Sequence, residues 1–378
     1  MAPYGQILIG PPGSGKSTFT LGMSHFLSSI GRHCVIVNLD PANDRPPYTP
    51  TLDIRDFITL EEVMEVDNLG PNGGLIYAME TFEESIDEFV QKLQELVNLS
   101  GGNLYVLFDC AGQTELYTNN KHFRDIFERL VKDLDFRLCV VSLVDCVNLM
   151  TPTNWVSSLL LTLRGMLMMN LPQVNILSKI DNLHDLIQGD ISEKDSLRKS
   201  GDLKDETVTG GLPFNLQYYT DVEDLHYLTP YIRLEAGNRP NWGQKHALLT
   251  ERIADLIDEF GLLSFEVLSI EDKTSMINLL SVIDRSTGYV LGSNELGGDT
   301  IWTEAVRQSG LGYLEDIDIQ ERWIDNKAEW DELEQSKREE LENYLHSQGE
   351  SQLNSTDPDD EWESSLQQWE AQNGSAFK

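Results

Sequence analysis

The sequence is short of positive charge. Its 378 residues contain 28 Lys and Arg against 63 Asp and Glu, which gives a formal net charge of −35. Nucleic acids and anionic membrane surfaces are themselves negative, so this acidic excess disfavours nonspecific binding to either of them. The charge favours instead a basic protein surface, or an anionic ligand that is delivered together with a cation.

Cysteines are also few, and long hydrophobic runs are missing. Cys34, Cys110, Cys139 and Cys146 form no C-x-x-C pair, which favours a reducing compartment in which thiols act as small apolar residues. The most apolar stretch, 156–169, contains a charged arginine and is shorter than the roughly 20 residues that span a bilayer. The chain begins with a strand-like pattern rather than a secretory leader. We therefore expect a soluble intracellular protein, located in the cytoplasm.

Short apolar runs alternate along the chain with helix-like segments. One such segment, 83–99, has apolar residues at helical spacing and acids on the opposite side. Continuous apolar strands between amphipathic helices are typical of a parallel sheet covered on both faces. The pattern predicts a doubly wound, mostly parallel α/β fold. The predicted strands are Gln6–Ile9, His33–Val37, Leu104–Phe108, Leu138–Val144, Gln173–Leu177 and Phe265–Leu268.

The spacing of these runs indicates one large domain, residues 1–314, with an insertion at about 189–231. The insertion begins polar and glycine-rich and continues with aromatic residues, which predicts a few short helices lying on the sheet. Its hydrophobic half, 212–231, has two interpretations: it holds a client peptide, or it completes the core.

The last part of the chain, 315–378, is a separate acidic tail by composition. It contains 19 acids and 5 bases, a net of −14, and four of the seven tryptophans. The tryptophans form pairs seven residues apart, Trp323/Trp330 and Trp362/Trp369, and this spacing puts each pair on one helical face. Two interpretations stay open: a solvated tail that is partly helical or disordered, or a helix that docks onto a partner.

A phosphate-binding motif follows the first predicted strand directly and opens a helix. The sequence G-x-x-x-x-G-K-[ST] is present as Gly10 to Ser17 in the strand–loop–helix context that this motif requires. Backbone N–H groups of such a loop surround the β-phosphate of a nucleotide, and the helix N-terminus adds positive potential. Lys16 is expected to bridge the β- and γ-phosphates, and the Ser17 hydroxyl to bind Mg²⁺. The other predicted nucleotide-binding residues of this loop are Gly10, Gly13, Ser14, Gly15 and Thr18.

The third predicted strand ends in acidic and amide residues. Asp109 stands where the Mg²⁺ shell needs a carboxylate, and Gly112 can offer its N–H to a γ-phosphate. Gln113 or Glu115 could position the attacking water. The alternative is an ordinary D-x-x-G turn without a catalytic role.

The fifth predicted strand ends in Ser178-Lys179-Ile180-Asp181. In the related pattern N-K-x-D, the aspartate accepts hydrogen bonds from guanine N1–H and the 2-amino group, while the lysine stem packs on the base. Adenine lacks this pair of donors, so GTP is favoured over ATP. Ser178 replaces the asparagine, which is expected to weaken the bracing of the loop. The alternative is a plain strand-to-helix turn with an aspartate at the helix N-cap.

Two further segments, Asp40-Pro-Ala-Asn43 and Gly70-Pro-Asn72-Gly-Gly74, stand between these motifs. In order and spacing the five motifs resemble those of the GPN-loop GTPases, over about residues 4–325. The resemblance implies a homodimer, or a heterodimer with another GPN-loop GTPase, in which two nucleotides face each other. It also implies a role in the assembly and nuclear import of RNA polymerase II, with polymerase subunits or import factors as partners and with passage into the nucleus.

The same resemblance implies roles for individual residues. Asp40 and Asp109 surround Mg²⁺ and water, Gln113 and Glu115 position the nucleophile, and Asn72 reaches the γ-phosphate of the opposite subunit. No direct nucleic-acid or membrane partner is expected.

Two other functions remain open. A P-loop kinase is one, but its mobile lid is rich in arginine, and the 189–211 stretch has only four bases among acids. A non-catalytic scaffold stabilised by nucleotide is the other, and Gln113 and Glu115 argue mildly against it.

Overall fold

The structure is a computed structural model that describes residues 2–101, 104–190, 211–236, 242–289, 319–333 and 335–336. Its centre is a seven-stranded sheet with the strand order β3-β2-β4-β1-β5-β6-β7. The six pairings between these described strands are all parallel. The strands are β1 (Tyr4–Ile9), β2 (Cys34–Leu39), β3 (Leu52–Asp53), β4 (Tyr105–Cys110), β5 (Arg137–Asp145), β6 (Gln173–Ser178) and β7 (Phe265–Leu268).

Helices connect the strands and cover both faces of the sheet, which confirms the prediction of a doubly wound, parallel α/β fold. The helices are α1 (Lys16–Ser29), α2 (Leu60–Asp67), α3 (Pro71–Glu84), α4 (Ile86–Leu99), α5 (Glu115–Thr118), α6 (His122–Leu134), α7 (Pro152–Met169), α8 (183–190), α9 (Leu216–Thr220), α10 (Thr229–Ala236), α11 (Trp242–Phe260) and α12 (Lys273–Thr287).

Three apolar clusters form the core. The helices α3, α4 and α6 pack on one face of the central strands, and α1 and α12 pack on the other face. The third cluster joins α7, α9 and α11 to the β6–β7 end of the sheet around the fully buried Trp155. Because the central strands are covered on both sides, they read in the sequence as continuous apolar runs. No helix in the described ranges is long and apolar enough to cross a membrane.

Six strands were predicted, and all six are present, but the two-residue strand β3 was missed. A strand of two residues is too short to produce a hydrophobic period. The helix predicted at 83–99 is also wrong at its start, because α3 ends at Glu84 and a new helix begins at Ile86. The Ser85 hydroxyl donates to the carbonyls of Thr81 and Phe82, at 2.8 and 3.4 Å. This local bonding marks the break between the helices.

The described part of the insertion, from residue 211 onward, packs into the core. Leu216, Tyr219, Leu228 and Ile232 are buried in the third cluster beside α7. Their burial supports the interpretation that this hydrophobic half completes the core. The polar first half, 191–210, lies outside the described residues.

A segment of the acidic tail packs against the same cluster. We call residues 319–333 the docked segment. Trp323 is only 5% exposed within the cluster, whereas Trp330 is 40% exposed. A π-helical turn, Glu321–Asp325, ends at Asn326, and a new helical stretch starts at 327. This break separates the two tryptophans, so they do not share one buried face. Trp362 and Trp369 lie outside the described residues.

Candidate nucleotide site

Five parallel strands, β2, β4, β1, β5 and β6, are neighbours in the sheet and end at one edge. Within this edge Asp109 lies opposite Leu8 and Asn38, and Ser178 lies opposite Asp145. The parallel pairing therefore collects the ends of strands that are far apart in sequence. Open parallel sheets bind their ligands at this carboxyl edge.

The phosphate loop connects β1 to α1 and has the backbone that its glycines allow. Gly10 has φ +148°, and a Cβ atom there would lie 2.5 Å from the Leu143 carbonyl oxygen and 2.8 Å from the Ser14 hydroxyl oxygen. No side chain fits in that space. Gly15 has φ +94° and caps α1, which starts at Lys16. The loop therefore leads directly into a helix N-terminus, where backbone N–H groups and the helix dipole favour an anion.

Lys16 is buried inside this loop. Its ammonium group donates to the carbonyls of Gly10 and Pro11, at 3.0 and 3.2 Å. Burial lowers the pKa of Lys16, and the nearby carboxylates of Asp109 and Asp40 oppose this shift. A Cβ atom on Gly112 would lie 3.0 Å from the Lys16 Nζ atom, so a glycine lets the loop after β4 approach the lysine.

Asp109 is 1% exposed, and its two carboxylate oxygens differ in their hydrogen bonding. Its Oδ2 accepts a hydrogen bond of 2.6 Å from the Tyr48 hydroxyl, whereas its Oδ1 is buried without a hydrogen-bond partner in the described chain. Burial raises the pKa of Asp109, and the hydrogen bond from Tyr48, the nearby Ser17 hydroxyl and the charge of Lys16 oppose the rise. An orphaned carboxylate oxygen beside a serine hydroxyl fits a cation that prefers oxygen ligands.

Asp40 adds a second carboxylate to this region. It is half-buried just after β2, and its Oδ1 accepts a hydrogen bond of 3.0 Å from the Ala42 N–H. Burial raises the pKa of Asp40, while the Ala42 N–H and the Lys16 charge oppose the rise. With Ser17 and Asp109 it forms an all-oxygen donor set, the type of set that holds Mg²⁺ in nucleotide sites.

The segment predicted to bind the base, Ser178–Asp181, is called the base loop, and it is hydrogen-bonded to the phosphate loop. The Ser178 hydroxyl donates to the carbonyls of Ser14 and Val144, at 2.8 and 3.2 Å. Lys179 donates to the Gly13 carbonyl at 2.6 Å and to the Asp145 carboxylate at 2.7 Å. Serine in place of asparagine therefore still connects the two loops.

Two features of the base loop are typical of a binding site: the backbone conformation of Lys179 and the raised pKa of Asp181. Lys179 has φ +60°, a left-handed conformation that costs energy for a residue with a side chain and that often occurs at binding sites. Burial raises the pKa of Asp181, and the charges of Lys327 and Lys179 oppose this rise. The geometry leaves the Asp181 carboxylate available as an acceptor.

The two predicted water-positioning residues are placed differently. Gln113 is half-buried, and its side-chain oxygen is buried without a partner in the described residues. Glu115 is exposed at the start of α5, where its carboxylate accepts a hydrogen bond of 3.4 Å from the Thr114 hydroxyl. The structure gives Gln113 the more confined position of the two.

Asn72 lies outside the cluster that the other predicted residues form. It is exposed in the first turn of α3, and within the described chain its side chain makes no hydrogen bond. Helix α3 is held close to α2 at Gly74, where a Cβ atom would lie 3.0 Å from the Leu60 side chain. Neither Asn72 nor Glu115 forms a hydrogen bond with the phosphate loop in the described residues.

Three residues of the site were missed by the sequence analysis. Asp145 ends β5, and the strand-end argument used for Asp109 could have found it. Tyr48 lies in a proline-rich loop without a recognisable signal. Lys327 donates to the main-chain carbonyl of Asp181 at 2.6 Å, and a contact across 146 positions has no local signature.

Comparison with known proteins extends these observations to the whole chain. A family model described as "Conserved hypothetical ATP binding protein" matches residues 8–289. GPN-loop GTPase 2 of Saccharomyces cerevisiae is 47% identical over 375 residues, covering 99% of both chains. The chain belongs to the GPN-loop GTPase family. GPN-loop GTPase 2 of Schizosaccharomyces pombe is 42% identical over 88% of this chain and 95% of its own length. The Danio rerio protein of the same name is 38% identical over 85% of this chain and 93% of its own.

A solved structure supports the fold. The crystal structure of a GTPase from Pyrococcus abyssi in its apo form superposes with a TM-score of 0.52 and 22% identity. The match covers 76% of this GPN-loop chain and 98% of the archaeal chain.

Proposed function

We propose that the protein binds GTP with Mg²⁺ at the nucleotide site and hydrolyses it to GDP and phosphate, as a switch that works in a dimer. The observation that carries the proposal is the connection between the phosphate loop and the base loop. Ser178 and Lys179 donate to the carbonyls of Ser14 and Gly13. A ligand with a base at one end and phosphates at the other meets both loops at a fixed separation.

Guanine is the base that this loop suits. An ionised Asp181 accepts from N1–H and from the 2-amino group, and adenine offers neither of these donors. An unpaired buried carboxylate facing adenine is costly, so the site penalises ATP. The matching family model carries a description of ATP binding, while the relatives are named as GTPases. Asp181 favours the guanine nucleotide.

The phosphates are held by the backbone of the loop and by Lys16. The N–H groups at the start of α1 and the buried ammonium group provide donors to the β- and γ-phosphates. Ser17, Asp109 and Asp40 would hold Mg²⁺, which neutralises phosphate charge when it is bound. Gln113, with its unpartnered side-chain oxygen, orients the attacking water by accepting one of its hydrogen bonds.

A second copy of a GPN-loop chain completes the site. Asn72 is exposed and makes no hydrogen bond within the described residues of its own chain, so its amide is available to the nucleotide of a partner subunit. An amide donor aimed at charge that develops on the γ-phosphate accelerates hydrolysis. The partner is a second copy of this chain or another GPN-loop GTPase.

The cellular role that we propose follows from the family resemblance. It is participation in the assembly of RNA polymerase II in the cytoplasm and in its import into the nucleus. The net charge of −35 is compatible with a basic client or import factor.

The base assignment is tested by direct binding measurements with Mg²⁺ and GTP, GDP, ATP and xanthosine triphosphate. We expect GTP and GDP to bind more tightly than ATP. In Asp181→Asn, GTP affinity is expected to fall by roughly 2 kcal/mol or more while xanthosine triphosphate gains, because the amide donor now faces an acceptor. An Asp181→Asn chain that keeps the wild-type preference for GTP contradicts the assignment.

A hydrolysis time course at several protein concentrations tests the reaction itself. We expect phosphate release whose rate per chain rises with protein concentration as dimers form, and no release by Lys16→Ala. Tight GTP binding without phosphate release favours the non-catalytic scaffold. Transfer of phosphate to an added acceptor rather than to water favours the kinase.

A further inference from the structure

The docked segment, residues 319–333, reaches the base loop from the far end of the chain. The Lys327 ammonium group donates to the main-chain carbonyl of Asp181 at 2.6 Å, across 146 positions. Lys327 is half-buried at this contact. A charged donor held partly away from water makes a stronger hydrogen bond than a neutral, exposed one.

The segment is anchored before Lys327 by apolar and polar contacts. Trp323 is buried in the same cluster as Ile180 and Leu183, which lie on either side of Asp181 in the sequence. The Gln320 side-chain oxygen accepts a hydrogen bond of 2.8 Å from the Leu216 N–H. The backbone leading to Lys327 is thereby fixed beside the base loop.

The docked segment is also held by contacts between its residues before and after Lys327. The Arg322 guanidinium lies 4.3 Å from the centre of the Trp323 ring and forms an ion pair of 2.8 Å with Asp331. These contacts hold the helical stretch 327–333 against the π-helical turn. Lys327 therefore approaches Asp181 from a backbone fixed on both sides.

The contact also stabilises the charge of Lys327 at its place in the segment. Lys327 is the first residue of the helical stretch, where the positive end of the helix dipole disfavours a cation. The Asp181 carbonyl offsets this cost by accepting its hydrogen bond. The Lys327 charge also opposes the effect of burial on the pKa of Asp181, which favours the ionised form that reads guanine.

We propose that Lys327 is a positioning residue of the guanine site, which holds the main chain of Asp181 so that its carboxylate meets the base. The proposal rests on the proposed function, because it assumes that Asp181 reads guanine. Lys327 does not touch the nucleotide and acts through Asp181. Its loss should therefore weaken GTP and GDP to the same degree, and should raise KM without changing kcat.

The test uses the full chain and fluorescent analogues of GTP and GDP with Mg²⁺. We expect Lys327→Met to bind both nucleotides roughly three- to tenfold more weakly, the cost of one half-exposed charge-assisted hydrogen bond, with kcat unchanged. Lys327→Arg should restore most of the affinity, because a guanidinium also donates to a carbonyl. The matched control is Lys132→Met on α6, which removes the same charge from a side chain that is 71% exposed. Lys132→Met should bind both nucleotides with the affinity of the wild type.

A double-mutant cycle shows whether the effect passes through Asp181. When Asp181→Asn has already removed the guanine contact, adding Lys327→Met should cost little further GTP affinity. If Lys327→Met does not fold, Lys327→Gln keeps a neutral N–H donor on a side chain one bond shorter than that of lysine, and an intermediate loss of affinity is expected.

Three results would overturn the inference. The first is that Lys327→Met, or Lys327→Gln where it is used instead, binds both nucleotides with wild-type affinity. The others are a loss confined to kcat and fully additive losses of GTP affinity in the double-mutant cycle. Failure of the proposed function looks different, because the wild-type chain itself would then show no preference for GTP over ATP.

Discussion

At the scale of single residues, the site depends on carboxylates whose pKa is raised by burial and lowered by specific partners. The position of Asp109 at a strand end could be predicted from the sequence, because an acid after an apolar run and downstream of a phosphate loop is a local pattern. The Tyr48 hydroxyl that donates to Asp109 could not be predicted in this way. Tyr48 reaches Asp109 across 61 positions, and only the folded chain brings the two together.

The affinity for GTP should depend on pH through Asp181. Burial raises the pKa of this carboxyl, so it takes up a proton at a higher pH than an exposed aspartate does. The ionised form accepts from guanine N1–H and the 2-amino group with both oxygens, and its charge strengthens these hydrogen bonds, whereas protonation turns one of the two oxygens into a donor. The Asp181 contribution to GTP affinity is therefore complete above the raised pKa and is lost as the pH falls through it. Fluorescent titrations that run from about pH 8 down to about pH 4, close to the ordinary pKa of an aspartate, measure this loss.

The control for the pH series is Asp181→Asn, which has no proton to take up at this position. Protonation of the GTP phosphates weakens binding equally in both proteins, so the ratio of the two affinities isolates Asp181. We expect this ratio to shrink as the pH falls. A constant ratio over the whole range would show that Asp181 does not titrate in contact with the base.

Tyr48→Phe should destabilise the fold. The change removes the hydroxyl that donates to the buried Oδ2 of Asp109 and keeps the aromatic ring, so a carboxylate loses a partner without creating a cavity. The expected cost is about 1–3 kcal/mol in the free energy of unfolding, measured with urea in the absence of nucleotide. Tyr227→Phe, at a side chain 63% exposed, is the control and should change little. Equal stability of Tyr48→Phe and the wild type would contradict this role of the hydroxyl.

At the scale of elements, the strong periodic signals predicted the fold and the weak ones did not. Six strands read as apolar runs because both faces of the sheet are covered by helices. The strand Leu52–Asp53 has only two residues, and the break at Ser85 occupies a single residue, so neither changes the hydrophobic pattern. The position of Trp323 depends on a cluster assembled from distant helices.

The link between β6 and the phosphate loop predicts the effect of Ser178→Ala. Removing the hydroxyl leaves the Ser14 carbonyl without this donor, and the loop that binds phosphates loses a constraint. We expect a loss of roughly 1 kcal/mol in the free energy of unfolding and weaker binding of GTP and GDP alike. Urea unfolding and fluorescent titration measure the two effects.

The matched control is Ser281→Ala, because that hydroxyl donates only to the Asn278 carbonyl of its own helix, α12. It should leave nucleotide affinity unchanged. If Ser178→Ala binds both nucleotides like the wild type, the hydroxyl does not hold the phosphate loop for its ligand.

At the scale of the whole molecule, one chain brings most of the predicted site residues to one edge of the sheet but leaves Asn72 exposed on a helix. The phosphate loop, the two acidic strand ends and the base loop meet at one edge of the sheet, whereas Asn72 lies exposed on α3. The central claim is that a second subunit supplies Asn72 to this edge. Asn72→Ala should bind GTP nearly as the wild type does, and its hydrolysis rate should fall by roughly tenfold to a thousandfold, the usual cost of one transition-state donor.

Mixing two impaired chains tests that claim most directly. Asn72→Ala keeps a working phosphate loop, and Lys16→Ala keeps Asn72 but cannot hold the phosphates. Each is measured alone and then at equal amounts, after the molecular mass has shown that mixed dimers form. If Asn72 acts across the interface, the mixture should recover about a quarter of the wild-type rate, because random pairing gives one complete site in half of the dimers. If Asn72 acts within its own chain, neither chain holds both groups, and the mixture will stay as slow as its components.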